Sequence, residues 1–316
     1  MGVADLNGDG RYDFVIKTPD SNIDPFQRNW RPSENTYKLE AYLSDGTFLW
    51  RKDLGWNIET GIWYSSYIVH DFSGDGREAI IYGAAAVDGN GNGIWSANLG
   101  HPDNVWVGDI DPARPGLEVY LGIEGARVKG NRRHGISLWD ARTGTFLWGL
   151  EHTSYHIHGW GLVSNIVAEH VGMECYSGEQ QRPNRWLHNA RGELIADEKT
   201  WHMRTLRPRA VYWDDRPERE LLVEGRIFRH PDETIADHVE GNDVAWVDLF
   251  GDWREEIITS VPGELRIYAT PIPAADRRVT LMQDPLYRNG VAHLSMGYGQ
   301  PPLTSYYIGR PAPVAR

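Results

Sequence analysis

One unit recurs along the chain, and it limits the fold more than any other feature. It is an apolar stretch ending in Asp, a Gly-rich or acidic turn, a second apolar stretch, a hairpin turn, and further strand-like residues. The first copy reads "GVADLNGDGRYDFVIK" followed by "YKLEAYLSDGTFLWRKDLG". The second is "YIVHDFSGDGREAIIYG" with "AVDGNGNGIWSANLG", and the third is "VWVGDIDPARPGLEVYLG" with "ISLWDARTGTFLWGL". A degenerate fourth copy is "WGLVSNIVAEHVGMECYSG" with "RWLHNARGELIAD". The fifth begins at "RAVYWDDRPERELLVEG" and the sixth at "AWVDLFGDWREEIITSV". The "DG" and "TG" dipeptides ahead of the two "TFLW" stretches mark hairpin turns. Repeats worth about four strands each predict an all-β chain, a β-propeller of six blades. "GVAHLSMGYGQPPLTSYYIG" is expected to close the ring. No long stretch keeps a helical period, and no linker divides the chain, so a single domain over residues 1–316 is expected.

Composition narrows the partners. The 316 residues carry a net charge of −12, with no basic excess to displace the counterions of a nucleic acid. An acidic partner therefore needs local Arg or Lys, or a bound cation. No apolar run reaches the length of a membrane span. The one cysteine, Cys175, excludes an internal disulfide. The chain opens on "MGVADLNGDG", which reads as the inside of a domain with no signal peptide, so the natural N-terminus is expected to be missing. A monomer is expected.

The acidic turns offer cation chemistry. "DLNGDGRYD" sets Asp5, Asn7, Asp9 and Asp13 at positions 1, 3, 5 and 9, with Gly10 at the kink and the Arg11 carbonyl at position 7. That is an oxygen-rich arrangement suited to Ca²⁺. The same residues also suit a tight turn whose Asp side chains satisfy backbone N–H groups. "DFSGDGREA" keeps Asp71, Ser73 and Asp75 but has Ala79 at position 9, which reads as a weak site or a plain turn, and "DLFGDWREE" has Phe250 and Trp253 where a ligand and a glycine belong, which reads as a plain turn.

"DLFGDWREEI", "LRIYATPIPAADRRVTLMQDPLYRNGVA", "GQPPLTSYYIG", "NLGHPDNVWVGDIDPARPGLEVYLGIEG" and "KLEAYLSDGTFLWRKDLGWNI" together carry a resemblance. The chain resembles family 11 polysaccharide lyases, the rhamnogalacturonan lyases of pectin-degrading bacteria. The resemblance implies a calcium-binding β-propeller, usually of eight blades, here shortened by two repeats and lacking the N-terminal portion. It also implies β-elimination between galacturonate and rhamnose in an acidic polysaccharide, and an extracellular or periplasmic location. His101, Asp103 and Glu124 match positions that resemble metal ligands in the family's cleft. Other positions depart from the family. Gly159-Trp160-Gly161 stands where the family's carboxylate-gripping Gly-Arg-Gly belongs, and Asp237-His238-Val239-Glu240 replaces the segment with its expected lysine base.

"EHTSYHIHGWG" offers replacements. In an extended segment His156, His158 and Trp160 share one face. His titrates near neutral pH and Tyr exchanges protons, which makes His158, His156 and Tyr155 the catalytic candidates. Trp160, with its apolar ring face, and His152 are candidates for substrate contact, as are His238 and Arg207. Arg207 belongs to "WHMRTLRPR", which either receives a uronate carboxylate or pairs with "DDRPERE". Loss of catalysis with retained glycan binding is the other reading of these departures.

Overall fold

The computed structural model describes residues 1–18, 35–55, 67–99, 102–123, 127–128, 131–132, 134–150, 157, 161–180, 182–201, 203, 205–294, 300 and 302–309. Sheet 1 comprises β1 (Gly2–Ala4), β2 (Asp13–Thr18), β3 (Lys38–Tyr42) and β4 (Phe48–Asp53). Sheet 2 comprises β5 (Tyr67–His70), β6 (Ala79–Tyr82), β7 (Ala85–Val87) and β8 (Gly93–Ser96). Sheet 3 contains β9 (Pro102–Gly108) and β10 (Glu118–Ile123), then a two-stranded insertion of β11 (Arg127–Val128) and β12 (Asn131–Arg132), then β13 (Ile136–Asp140) and β14 (Phe146–Leu150). Sheet 4 is β15 (Leu162–Ser164), β16 (Glu174–Gly178), β17 (Arg185–His188) and β18 (Leu194–Asp197). Sheet 5 is β19 (Arg209–Val211), β20 (Glu220–Val223), β21 (Arg226–Arg229) and β22 (Glu233–Ala236). Sheet 6 has three strands, β23 (Asn242–Val247), β24 (Glu256–Val261) and β25 (Glu264–Tyr268). Each repeat read in the sequence folds as one antiparallel meander.

Strand alternation explains why the inner strands are apolar without interruption. In sheet 2, Tyr67, Val69, Ile80 and Val87 pack with Ala4, Val15, Leu39 and Ala41 of sheet 1. Their neighbours Ile68, Ile81 and Ala86 pack with Val105, Val107, Val119 and Leu121 of sheet 3. A strand covered on both faces needs apolar residues at every position, which produces runs such as "YIV" and "AII".

Two further devices join consecutive sheets. Backbone N–H groups of Met173, Arg219 and Glu255 donate to the carbonyls of Ile110, Asn165 and Tyr212 in the preceding sheets, at 2.8, 2.8 and 2.9 Å. A tryptophan also reaches from each of the first three sheets to the third hairpin turn of the next. Trp50, Trp95 and Trp148 donate Nε1–H to the carbonyls of Gly89, Ala141 and Ala190 at 2.6, 2.9 and 3.0 Å. A glycine with positive φ lies under each ring (Gly91 at +81°, Gly144 at +67°, Gly192 at +84°). A Cβ on Gly144 would lie 2.4 Å from Trp95 Cγ. Trp201 makes the corresponding bond to Pro231 of sheet 5, at 3.3 Å.

The last stretch begins as a helix: Pro285–His293 is an α-helix, α1. Asp284 caps it by accepting from Leu286 N–H at 3.0 Å, and Pro285 fills the first position, where no N–H partner is needed. The helix lies against β1, β5 and β23, the first strands of three sheets. Gly290 lets it approach Pro302, where a Cβ would come within 2.7 Å of the proline ring. The helix's buried residues Leu286, Tyr287, Gly290 and His293 share one face, but glycine and histidine fill two of those positions, so the apolar period is weak in the sequence.

Candidate functional site at the link edge

An up-and-down sheet has two ends. Turns from first to second strand and from third to fourth lie at one end, the turn edge. Second-to-third turns and the links onward to the next sheet lie at the other, the link edge.

The calcium candidates of "DLNGDGRYD" sit on the turn edge, between β1 and β2. Asp5 accepts from the N–H groups of Gly8, Asp9 and Gly10 at 2.8, 3.0 and 2.7 Å. Asn7 Oδ1 accepts from Asp9 N–H and Asp9 Oδ1 from Arg11 N–H. Asp13 does not join them: it is buried and accepts from Leu6 and Ser44 N–H, both at 3.1 Å. Among the described residues, no three His, Cys, Asp or Glu side chains converge as metal ligands. A cation at this turn is thus left with Asp5, Asn7, Asp9 and the Arg11 carbonyl, and the set fits Ca²⁺ only in part.

Asp13 belongs to a pattern the sequence reading missed. Glu118 accepts from Ile110 and Asp111 N–H, Glu174 from Ile166 and Val167, Glu220 from Trp213 and Asp214, and Glu256 from Leu249 and Phe250. An acid at the start of the second strand thus clips the first turn in five of the six sheets. Sheets 3, 4 and 5 keep the acid without the calcium-like spacing, so position 9 needs no metal. The signal was visible as a carboxylate just before "FV", "VY", "CY", "LL" and "II".

These acids make stability depend on pH. Burial pushes Glu118 up to about 7 and Glu174 and Glu220 up to about 8, from the ordinary glutamate value of 4.5. An acid raised in the fold contributes stability fully below its unfolded pKa and loses it as pH rises through the folded value. Buried His188 and His293, lowered to about 4, act oppositely, but only below their unfolded value of 6.5. Among the described residues the raised carboxylates dominate between about pH 6.5 and 8.5, opposed by groups such as the amino terminus of Met1, whose pKa burial lowers. The midpoint of thermal unfolding is expected to fall across that range. A flat or rising midpoint in a buffer-matched series would contradict it.

Two cavities open at the link edge. One of about 590 Å³ is lined by Trp201, Met203, Thr205, Glu224, Arg226 and Phe228, between sheets 4 and 5. A second of about 410 Å³ shares Thr205 and Glu224 and adds Arg207, Arg209, Asn242 and Asp243. Tyr176 holds the intervening link by donating to Thr205 O at 2.8 Å. Arg207 is exposed at this second cavity. Arg209 is buried, its guanidinium 4.7 Å from the centre of the Trp246 ring and its Nε 3.9 Å from Asp243. Burial lowers its pKa to about 9. Within "DDRPERE", Asp214 pairs with Arg229 and Arg219 pairs with Glu255.

His238 is not among the residues lining either cavity. Its side chain is 84% exposed, with Nε2 2.9 Å from Asp237. Asp103 is buried in β9. His101, Glu124, His152, Tyr155, His156, His158 and Trp160 lie outside the described residues. Their described neighbours β9, β10, β14 and β15 direct the corresponding strand ends to the link edge of sheets 3 and 4.

Repeated meanders with cores between neighbouring sheets, and clefts where the links meet, define an all-β protein of the propeller type. The chain belongs to the family described as rhamnogalacturonan lyase family 11, C-terminal domain, whose profile matches residues 1–80 and 73–314. The two matches overlap at the acidic turn of sheet 2, so that turn answers to two places in the profile. Similar curated proteins are the rhamnogalacturonan exolyase YesX of Bacillus subtilis (strain 168), 37% identical over 270 residues, and the endolyase YesW of the same strain, 35% identical over 256. These alignments take in 77% and 76% of this chain but 42% and 39% of the relatives, so the chain spans less than half of their length. The solved structure of YesW aligns with a TM-score of 0.78 at 30% identity, covering 99% of this chain and 52% of that one. A Bacillus licheniformis rhamnogalacturonan lyase aligns at 0.72 and 25% identity, covering 99% and 68%.

Proposed function

We propose that this chain cleaves acidic glycans containing uronate and rhamnose, of the rhamnogalacturonan type, by β-elimination outside the cytoplasm. Family membership along nearly the whole chain carries this reading. In the reaction a base takes the C5 proton of the uronate. The electrons of that C–H bond form a C4–C5 double bond, and the C4 oxygen leaves with a proton from an acid. His158 and His156 serve as base and Tyr155 as acid. Trp160 and His152 hold the sugar, His238 extends the contact at the rim, and Arg207 receives a carboxylate from a neighbouring uronate. Positive charge near the reacting carboxylate stabilises the enolate-like transition state. Calcium, when bound, supplies such charge, and His101, Asp103 and Glu124 are its candidate ligands on this edge. Asp5, Asn7, Asp9 and the Arg11 carbonyl are candidates for a separate ion on the turn edge.

A specific observation favours a second reading, a glycan-binding propeller that does not cleave. Trp160 and the Asp237–Glu240 segment replace the family's expected clamp and base. The test is ultraviolet absorbance of the new double bond during incubation with rhamnogalacturonan, with calcium and with a chelator. Absorbance is expected to rise with the native chain and to be lost in the His156→Ala, His158→Ala double variant. Retention on immobilised glycan with no double bond formed would establish the second reading instead. Full activity in the double variant would remove both histidines as the base.

A further inference from the structure

The second cavity at the link edge gathers positive charge in an acidic chain. Its space of about 410 Å³ lies where β19 and β23, the first strands of sheets 5 and 6, begin, and the hairpin between β20 and β21 forms its third wall. That size suits one small ligand. Arg207 and Arg209 both line it, in a chain of net charge −12. Thr205, Glu224, Asn242 and Asp243 supply further polar lining.

The walls are fixed by the fold itself. Val239 N–H donates to Gly225 O at 2.9 Å and ties the link between the sheets to the hairpin. Gly225 has a φ of +77°, and a Cβ there would lie 2.5 Å from Val239 O, so the two segments close on each other through a glycine. Glu240 O accepts from Thr259 Oγ1 at 2.6 Å, and Glu240 N–H donates to the Tyr268 hydroxyl at 3.1 Å. Arg209 is the buried cation of the set, at 5% exposure. Its guanidinium lies over the Trp246 ring, and Nη1 donates to Arg207 O at 3.0 Å. A guanidinium held in this way loses little freedom on meeting a planar carboxylate. Asp243 stands 3.9 Å from Arg209 Nε, so it offsets the charge from beyond hydrogen-bond range of that nitrogen. Arg207, Glu224, Asn242 and Asp243 are exposed and form the rim.

This lining calls for a ligand with one carboxylate and several hydroxyls. Guanidinium groups match carboxylate oxygens. Glu224 and Asp243 accept from hydroxyls, while Asn242 and Thr205 donate and accept. A ligand with a second carboxylate would be repelled by Glu224 and Asp243. A neutral sugar would meet the rim but forgo both guanidinium groups.

We propose that this cavity holds one hexuronate residue of a glycan, with its carboxylate between Arg209 and Arg207 and its ring hydroxyls on Asn242, Asp243 and Glu224. The choice of a uronate among hydroxylated carboxylates rests on the proposed action on uronate-containing glycans. The cavity recognises and orients the chain, and no bond is made or broken there.

The probes are D-galacturonate and its neutral counterpart D-galactose, each titrated into the full chain by isothermal titration calorimetry. Neither has a glycosidic bond to cleave, so binding is read independently of lyase activity. Galacturonate should bind saturably and at least about tenfold more tightly than galactose, the effect of a charge-assisted hydrogen bond. Arg207→Ala and Arg209→Met should each remove most of that difference. Arg207 is exposed, so its variant decides the matter if Arg209→Met fails to fold by circular dichroism. Equal binding of the two sugars overturns the assignment to a uronate. Galacturonate binding that survives the arginine substitutions overturns the site. Acetate binding as tight as that of galacturonate overturns the role of the sugar ring. Galacturonate binding by a chain that forms no double bond on rhamnogalacturonan supports the site and removes only the lyase reading. Double-bond formation without galacturonate binding removes the site and leaves the lyase reading standing.

Discussion

Replacing Glu255 by alanine is expected to destabilise the fold by about 3–5 kcal/mol, the cost of breaking a buried ion pair from one side. Arg219 and Glu255 are 1% and 0% exposed at the side chain and meet at 2.7 Å. Glu255 Oε1 also accepts from Tyr287 O–H at 2.8 Å, and Oε2 accepts from Tyr212 N–H at 3.0 Å. The Arg219 guanidinium lies over the Tyr212 ring and donates to Pro302 O at 2.8 Å. This one carboxylate thus ties sheet 5, sheet 6, α1 and the last described segment together. Removing it strands a guanidinium away from water. Removing both charges is a different experiment. The Arg219→Met, Glu255→Leu double variant is expected to recover most of the loss, because desolvation of both ions disappears with them. Urea denaturation with an unchanged m-value reads both. A loss below about 1 kcal/mol in the single variant would show that water already reaches the pair.

The second large effect is expected at the junction of sheets 2 and 3. Gly144→Val should cost about 2–4 kcal/mol, from a left-handed backbone forced on a β-branched residue and from collision with the Trp95 ring. Trp95→Ala should cost about 2–3 kcal/mol, through lost packing and the lost bond to Ala141 O. The two effects share one contact, so they should not add. In the Trp95→Ala background the valine retains its backbone strain but loses its collision. Additivity across the cycle would show that the ring can move aside and that the seat on the glycine carries little energy.

Much of the fold could be read from local pattern. β2, β4, β10, β13, β14, β24 and β25 fall within the apolar runs singled out in the sequence, because each is bounded by Gly or Asp turns and rich in β-branched and aromatic residues. Helix α1 could not be read, because its buried face, Leu286, Tyr287, Gly290 and His293, includes a glycine and a histidine that break the apolar period. Position 9 of the acidic turn misled for a related reason. A carboxylate that accepts backbone N–H groups and one that ligates calcium occupy the same place in the sequence. Only the recurrence of the acid in Glu118, Glu174 and Glu220 separates them. At the candidate site, the clustering of Arg207 and Arg209 beside one cavity was anticipated as a local positive cluster. The participation of Trp201, Phe228 and Asp243 was not, since they come together only where two links and a hairpin meet.

The contacts between sheets also bear on how such chains change length. The junctions draw on a small set of parts: a backbone bond near the turn between sheets 3, 4, 5 and 6, an indole on a glycine between sheets 1, 2, 3 and 4, and apolar packing. Stability is then approximately a sum over nearest neighbours, as in solenoids. A whole repeat can be excised at a turn and the flanking sheets can meet through parts they already possess. The stretch 73–80, which matches the family profile in both of its segments, has the form such a splice would leave. Copy number in this architecture is therefore an adjustable quantity, because the number of sheets can change while the parts that join neighbours are reused.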